Sequence, residues 1–128
     1  YHVTYADKSG VLMGGESVSG IPLILEMAPW SHRTLWQESY LVCFEHAYIQ
    51  IELPAPLAVQ LPGKVTVMKD AGAEAQFEIP VLPNISAMRK QAMNFIQVVQ
   101  GTAKPPCQSQ EALQDLKIAL EYIKCRCK

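Results

Sequence analysis

QESYLVCFEHAYIQIELP, residues 37–54, reads as two strands folded back on each other around the EHAY turn at 45–48. Side chains alternate along a strand. Tyr40, Val42 and Phe44 therefore share one face of the first strand, and Ile49, Ile51 and Leu53 share one face of the second. Gln50 and Glu52 fall on the opposite side of that second strand. The reverse of the first strand is not polar, because it carries Leu41 and Cys43. An antiparallel sheet with apolar residues on both faces needs cover on both.

Upstream, three further strands are expected. VTYA at 3–6 is followed by a DKSG turn at 7–10 and a return strand from Val11 that runs towards Val18. Gly14-Gly15 marks a bulge or bend within it. Residues 21–28 form the third strand, with Ile21, Leu23, Leu25 and Met27 on one face and Ile24 on the other. PWSHRTLW, residues 29–36, breaks the alternation and reads as a loop. Downstream, prolines at 54, 56 and 62 make residues 54–63 irregular. Strands at 64–69 and 76–79 follow, separated by the DAGA turn at 70–73.

The apolar period then changes from two to that of a helix. Residues 86–100 place Met88, Ala92, Met93, Phe95, Ile96 and Val99 on one side, with Asn84 or Ser86 as the cap and Gly101 just past the end. Ser109 caps a second helix whose expected apolar stripe is Leu113, Leu116, Ala119, Leu120 and Ile123. Strands first and helices last predict one α+β domain spanning residues 1–128. Its mainly antiparallel sheet is covered on one face by the two helices, leaving the other face open.

Composition narrows the class. Of 128 residues, 49% are hydrophobic and 18% charged, which fits a globular chain and not a disordered one. The net charge of -1, with no basic run, argues against nucleic acid as a partner. The longest mostly apolar run, 21–28, is interrupted by Pro22 and Glu26 and is too short for a bilayer. The opening YHVTYADKSG has no basic stretch leading into an apolar one of the secretory kind. It begins without Met and goes straight into strand, as expected of a chain cut from a longer one. At ~1.5 Å per helical residue, Cys107 and Cys125 stand roughly 25 Å apart, which rules out a bridge between them. Cys125-Arg126-Cys127 lacks the further ligands that a metal needs. Cys43 reads as a small core side chain, and reduced thiols fit the cytoplasm.

Several residues bear chemistry. Trp30 can stack on a sugar ring, and His32 and Arg33 can reach a substrate hydroxyl or carboxylate; the alternative is Trp packing at a sheet edge beside two solvated side chains. Glu45 and His46 are a possible acid–base pair in the hairpin turn. His2 carries no evident role. Met88 and Met93 read as core, or else as the lining of a partner groove.

The order of elements resembles the C-terminal domain of the Gfo/Idh/MocA family of NAD(P)-dependent oxidoreductases. VTYADKSGVLMGGESV is similar to that family's first hairpin, and YLVCFEHAYIQIELP to a later one, with Ala47 where a Gly is usual. MNFIQVVQGTAKPPCQSQEALQDLKIALEYI carries the likeness furthest: a helix, a Gly, a Pro-containing loop, then Glu-Ala-Leu opening the last helix. The resemblance implies a parent enzyme acting on a sugar, polyol or related small molecule, with NAD or NADP held by an N-terminal Rossmann domain. No GxGxxG, Glu-Lys-Pro or Asp-x-x-x-His pattern is present in this chain. The fragment is therefore expected to be non-catalytic, with no cofactor of its own. It would supply substrate wall through Trp30, His32 and Arg33. It would also supply a two-fold homo-oligomer contact through the open sheet face at Ile24, Leu41 and Cys43. The alternative is a self-standing α+β binding or assembly module without enzymatic activity.

Overall fold

Seven strands precede two helices in the computed structural model, which describes residues 1–9, 11–27 and 36–127. In order they are β1 (His2–Ala6), β2 (Leu12–Glu16), β3 (Pro22–Glu26), β4 (Glu38–Phe44), β5 (Ala47–Leu53), β6 (Lys64–Asp70), β7 (Ala75–Glu78), α1 (Ala87–Val99) and α2 (Ser109–Arg126). The class is α+β and mainly sheet, as the sequence order implies. The strands sort into two antiparallel sheets, β1-β2-β3 and β4-β5-β6-β7. The chain divides accordingly into two units, Tyr1–Ser31 with Pro105–Lys128, and His32–Lys104.

The first unit is a three-stranded sheet with α2 packed along β1. Met13 faces Ala6 on one side and Leu25 on the other, and it is the one buried apolar side chain among the described residues. The expected irregularity at Gly14-Gly15 lies across from them, on β1. Val3 pairs with Gly15 and Tyr5 with Gly14, so Thr4 is the extra, bulged residue. Gly15 is needed there, since a Cβ would stand 2.6 Å from the His2 carbonyl oxygen. β2 stops at Glu16, short of Val18, because Ser17 and Gly20 close a turn: Gly20 N–H donates to the Ser17 carbonyl at 2.9 Å.

Helix α2 is tied to β1 by polar contacts. Glu121 accepts from the Val3 N–H at 3.1 Å and lies 3.7 Å from His2 Nδ1, while Arg126 donates to the Lys8 carbonyl at 3.2 Å. The helix presents Ile118, Ala119 and Tyr122 beside Met13, Leu25 and Met27. Of the expected stripe only Ala119 is among them; Leu113, Leu116, Leu120 and Ile123 are exposed. Two stripes of the helix are apolar enough to pack, and periodicity alone does not choose between them. Its cap also moves by one residue from the expected Ser109: Gln108 is the N-cap, and its N–H donates to Glu111 at 2.6 Å.

The second unit contains the hairpin of residues 37–54. Its register is as the alternation requires. Tyr40 faces Ile51, Val42 faces Ile49 and Phe44 faces Ala47, while the turn itself is Glu45-His46. β6 continues the apolar face through Val65 and Val67, opposite Ile51 and Ile49. The reverse face carries the row Cys43, Tyr48, Met68, Phe77 across all four strands. Cys43, expected in the core, is exposed. Ser86 caps α1, accepting from the Arg89 N–H at 3.4 Å, and Gly101 follows its end at φ +73°. No residue of α1 is buried, so Met88 and Met93 are not core side chains. Among the described residues no helix is long and apolar enough to cross a membrane.

Candidate functional site

The irregular chain entering β4 ends in an alternating triplet, Trp36, Glu38 and Tyr40. Period-two geometry sets all three on one side of the strand. Trp36 Nε1–H donates to Glu38 Oε2 at 3.2 Å, and the Tyr40 hydroxyl donates to Oε1 at 2.7 Å. Both oxygens of one half-buried carboxylate are thus satisfied by two aromatic donors. The hydrogen bond to Glu38, and then its negative charge, hold the Tyr40 hydroxyl above its ordinary pKa, because both favour the protonated phenol.

A shallow hollow of about 240 Å³ at the start of β4 is bordered by residues of both faces: Trp36, Glu38 and Leu53 on one, Ser39, Gln50 and Glu52 on the reverse. Pairing of Ser39 with Glu52, and of Leu41 with Gln50, brings the β5 side chains to the start of β4. Glu52 also accepts from Lys64 on β6 at 3.2 Å. The indole is fixed by its hydrogen bond yet remains 53% exposed.

A second concavity, of about 280 Å³, lies in the first unit between β2, β3 and α2. Its wall is Met13, Leu25, Met27, Ile118, Ala119 and Tyr122, with Asp115 its one acidic residue.

The residues singled out from sequence fare differently. Trp30, His32 and Arg33 lie outside the described residues. Ile24 is 76% exposed on β3 and Leu41 63% exposed on β4. His46 Nε2 and Glu45 Oε1 approach to 3.6 Å, but both side chains are largely in water, where such a pair is a weak surface contact. His2 has a structural partner in Glu121. Among the described residues no cluster of three His, Cys, Asp or Glu is placed to hold a metal ion. The Trp36 hollow was not anticipated. Its signal was present as the Trp-x-Glu-x-Tyr alternation at 36–40, which crosses the boundary between loop and strand.

No protein-family model matches this chain, and no curated protein or solved structure matches it either.

Proposed function

We propose that this chain is a non-catalytic domain of an NAD(P)-dependent oxidoreductase of the Gfo/Idh/MocA type, acting on a sugar, polyol or related small molecule. Its own contribution is a subunit contact and part of a substrate wall. The observation that carries the reading is the four-stranded sheet, which is apolar on both faces. Tyr40, Val42 and Phe44 are exposed on one side of β4, and Leu41 and Cys43 on the other. Exposed apolar area of that kind marks a surface that another body covers. In this reading a second copy covers the Leu41 and Cys43 side by a self-complementary contact. The dinucleotide belongs to the Rossmann domain of the parent. A cytoplasmic location goes with the assignment, and the free state of all four cysteines supports it.

Sedimentation velocity over a range of concentrations tests the assembly half, with a concentration-dependent shift to dimer expected. A monomer throughout would remove it. Fluorescence titration with NADH and NADPH tests the other half. The isolated chain should give no saturable signal, and saturable binding would overturn the assignment of the cofactor to a separate domain.

A further inference from the structure

The outermost strands of a sheet present backbone N–H and C=O groups along their free sides. Folded proteins blunt such edges with bulges, prolines, charges, short strands or a covering helix. The edges of the two sheets are β1, β3, β4 and β7. β1 has the Thr4 bulge and α2 packed along it, with Glu121 accepting from the Val3 N–H. β3 opens on Pro22 and closes on Glu26. β7 is four residues long and ends on Glu78. β4 differs from all three. It is seven residues long, pairs with β5 without a bulge, and contains neither Pro nor Lys. Its one charge is Glu38, at its first position. Among the described residues β5 is its one hydrogen-bonded neighbour strand.

The turn decides which backbone groups face outward. With only Glu45 and His46 between them, Phe44 and Ala47 form a hydrogen-bonded pair. Antiparallel alternation then bonds Val42, Tyr40 and Glu38 to β5 as well. The N–H and C=O groups of Ser39, Leu41 and Cys43 point to the open side.

The strand fits a second copy of itself. Antiparallel pairing about a two-fold axis at Leu41 overlaps its whole length. Leu41 then meets Leu41 of the copy, and Ser39 meets Cys43, so the outward groups close about six ladder hydrogen bonds. Tyr40 lies across from Val42, an aromatic and β-branched pair of the kind that stabilises sheets. Glu38 lies across from Phe44, and Glu45 across from Gln37, so no carboxylate opposes another.

We propose that two copies of this chain join edge to edge through β4, with Leu41 on the two-fold axis, so that their four-stranded sheets become one. This gives the self-association of the oxidoreductase reading a strand and a register, and it rests on that half of the reading alone.

Sedimentation together with amide hydrogen exchange by NMR, at low and high concentrations of the whole chain, supplies the test. The amides of Tyr40, Val42 and Phe44 should be protected at every concentration. Those of Ser39, Leu41 and Cys43 should exchange freely in the monomer and slow by about tenfold or more in the dimer. Ser39→Pro removes an outward N–H and no bond to β5, a place where an edge strand tolerates proline. It should abolish the dimer while Tyr40, Val42 and Phe44 stay protected. Leu41 and Cys43 remain in that variant, so a contact through their side-chain face alone would survive it. A dimer without added protection at Ser39, Leu41 and Cys43 would overturn edge pairing and leave the face contact standing. So would undiminished association of folded Ser39→Pro. If that variant does not fold, the exchange pattern of the unaltered chain decides alone. A monomer at every concentration would end both the edge and the face contact.

Discussion

Glu121, one turn from the end of α2, accepts a hydrogen bond from the backbone N–H of Val3 on β1 at 3.1 Å. The two residues are 118 positions apart in sequence. That N–H sits beside the Thr4 bulge, where the regular ladder of β1 is broken. Removing the acceptor leaves a part-buried donor unpaired. Glu121→Ala should therefore lower stability by about 1–2 kcal/mol, seen as a lower urea midpoint at unchanged slope. Glu121→Gln keeps an acceptor oxygen and should lose less. Equal losses in the two variants would mean that the ionic contact to His2 matters more than the hydrogen bond.

Two adjacent glycines should respond in opposite ways. At Gly15 a Cβ would lie 2.6 Å from the His2 carbonyl oxygen, a backbone atom that cannot swing aside. Gly15→Ala should cost about 1–3 kcal/mol through overpacking. At Gly14 the nearest atom to a new Cβ is Tyr5 Cβ at 3.6 Å, an ordinary contact. Gly14→Ala should be tolerated within about 0.5 kcal/mol. Thermal melts of the pair check this contrast, and equal melting temperatures would show that β1 can move away from β2.

Leu41 projects from the face of β4 opposite Val42, and it is 63% exposed. A charge there removes apolar contact area and sets like charges against each other in a self-complementary pair. Leu41→Asp should weaken self-association by about tenfold or more in sedimentation experiments. The far-ultraviolet dichroism of the monomer should be unchanged. Tight association in the variant would move the contact to another surface.

Asp7 closes the β1–β2 turn. Hydrogen bonds from the Ser9 hydroxyl, and then from the Leu12 N–H at 2.6 Å, hold its carboxyl below its ordinary pKa. A depressed folded value stabilises the fold at pH above the unfolded carboxylate value, and that contribution is lost as pH falls through the folded one. The acid limb of stability should therefore flatten in Asp7→Asn, with little change at neutral pH beyond the loss of a surface turn contact. Chemical denaturation between pH 6 and pH 2 gives the comparison. An unchanged acid limb would show that other carboxylates govern it.

Local information was legible in the sequence, and choices between equivalent surfaces were not. The β4–β5 hairpin could be read because Tyr40, Val42, Phe44 and Ile49, Ile51, Leu53 alternate without interruption and a short turn fixes the register. The separation of β1–β3 from β4–β7 could not, because pairing among distant strands leaves no periodic trace. The start of α2 was placed to within a residue, yet of its expected stripe only Ala119 meets the sheet, beside Ile118 and Tyr122. Leucines at 113, 116 and 120 carry the stronger apolar pattern, and the pattern does not say which stripe a sheet covers. Cys43 failed for a related reason: alternation assigns a face but does not say whether that face is covered. In the polar hollow, Trp36 was read as the last loop residue and Glu38 as part of a strand, which hid the bond between them.

The first unit is completed by α2, far along the sequence from the strands before residue 27 that it packs with. During vectorial synthesis β1–β3 leave the ribosome about 80 residues ahead of Ser109. At ~5–20 residues per second, Met13 and Leu25 wait on the order of 4–16 s without their covering helix. Residues 32–104 have by then all been made. Nascent chains stalled before Ser109 should therefore recruit hydrophobe-binding chaperones through the β2–β3 surface, and release them once α2 emerges.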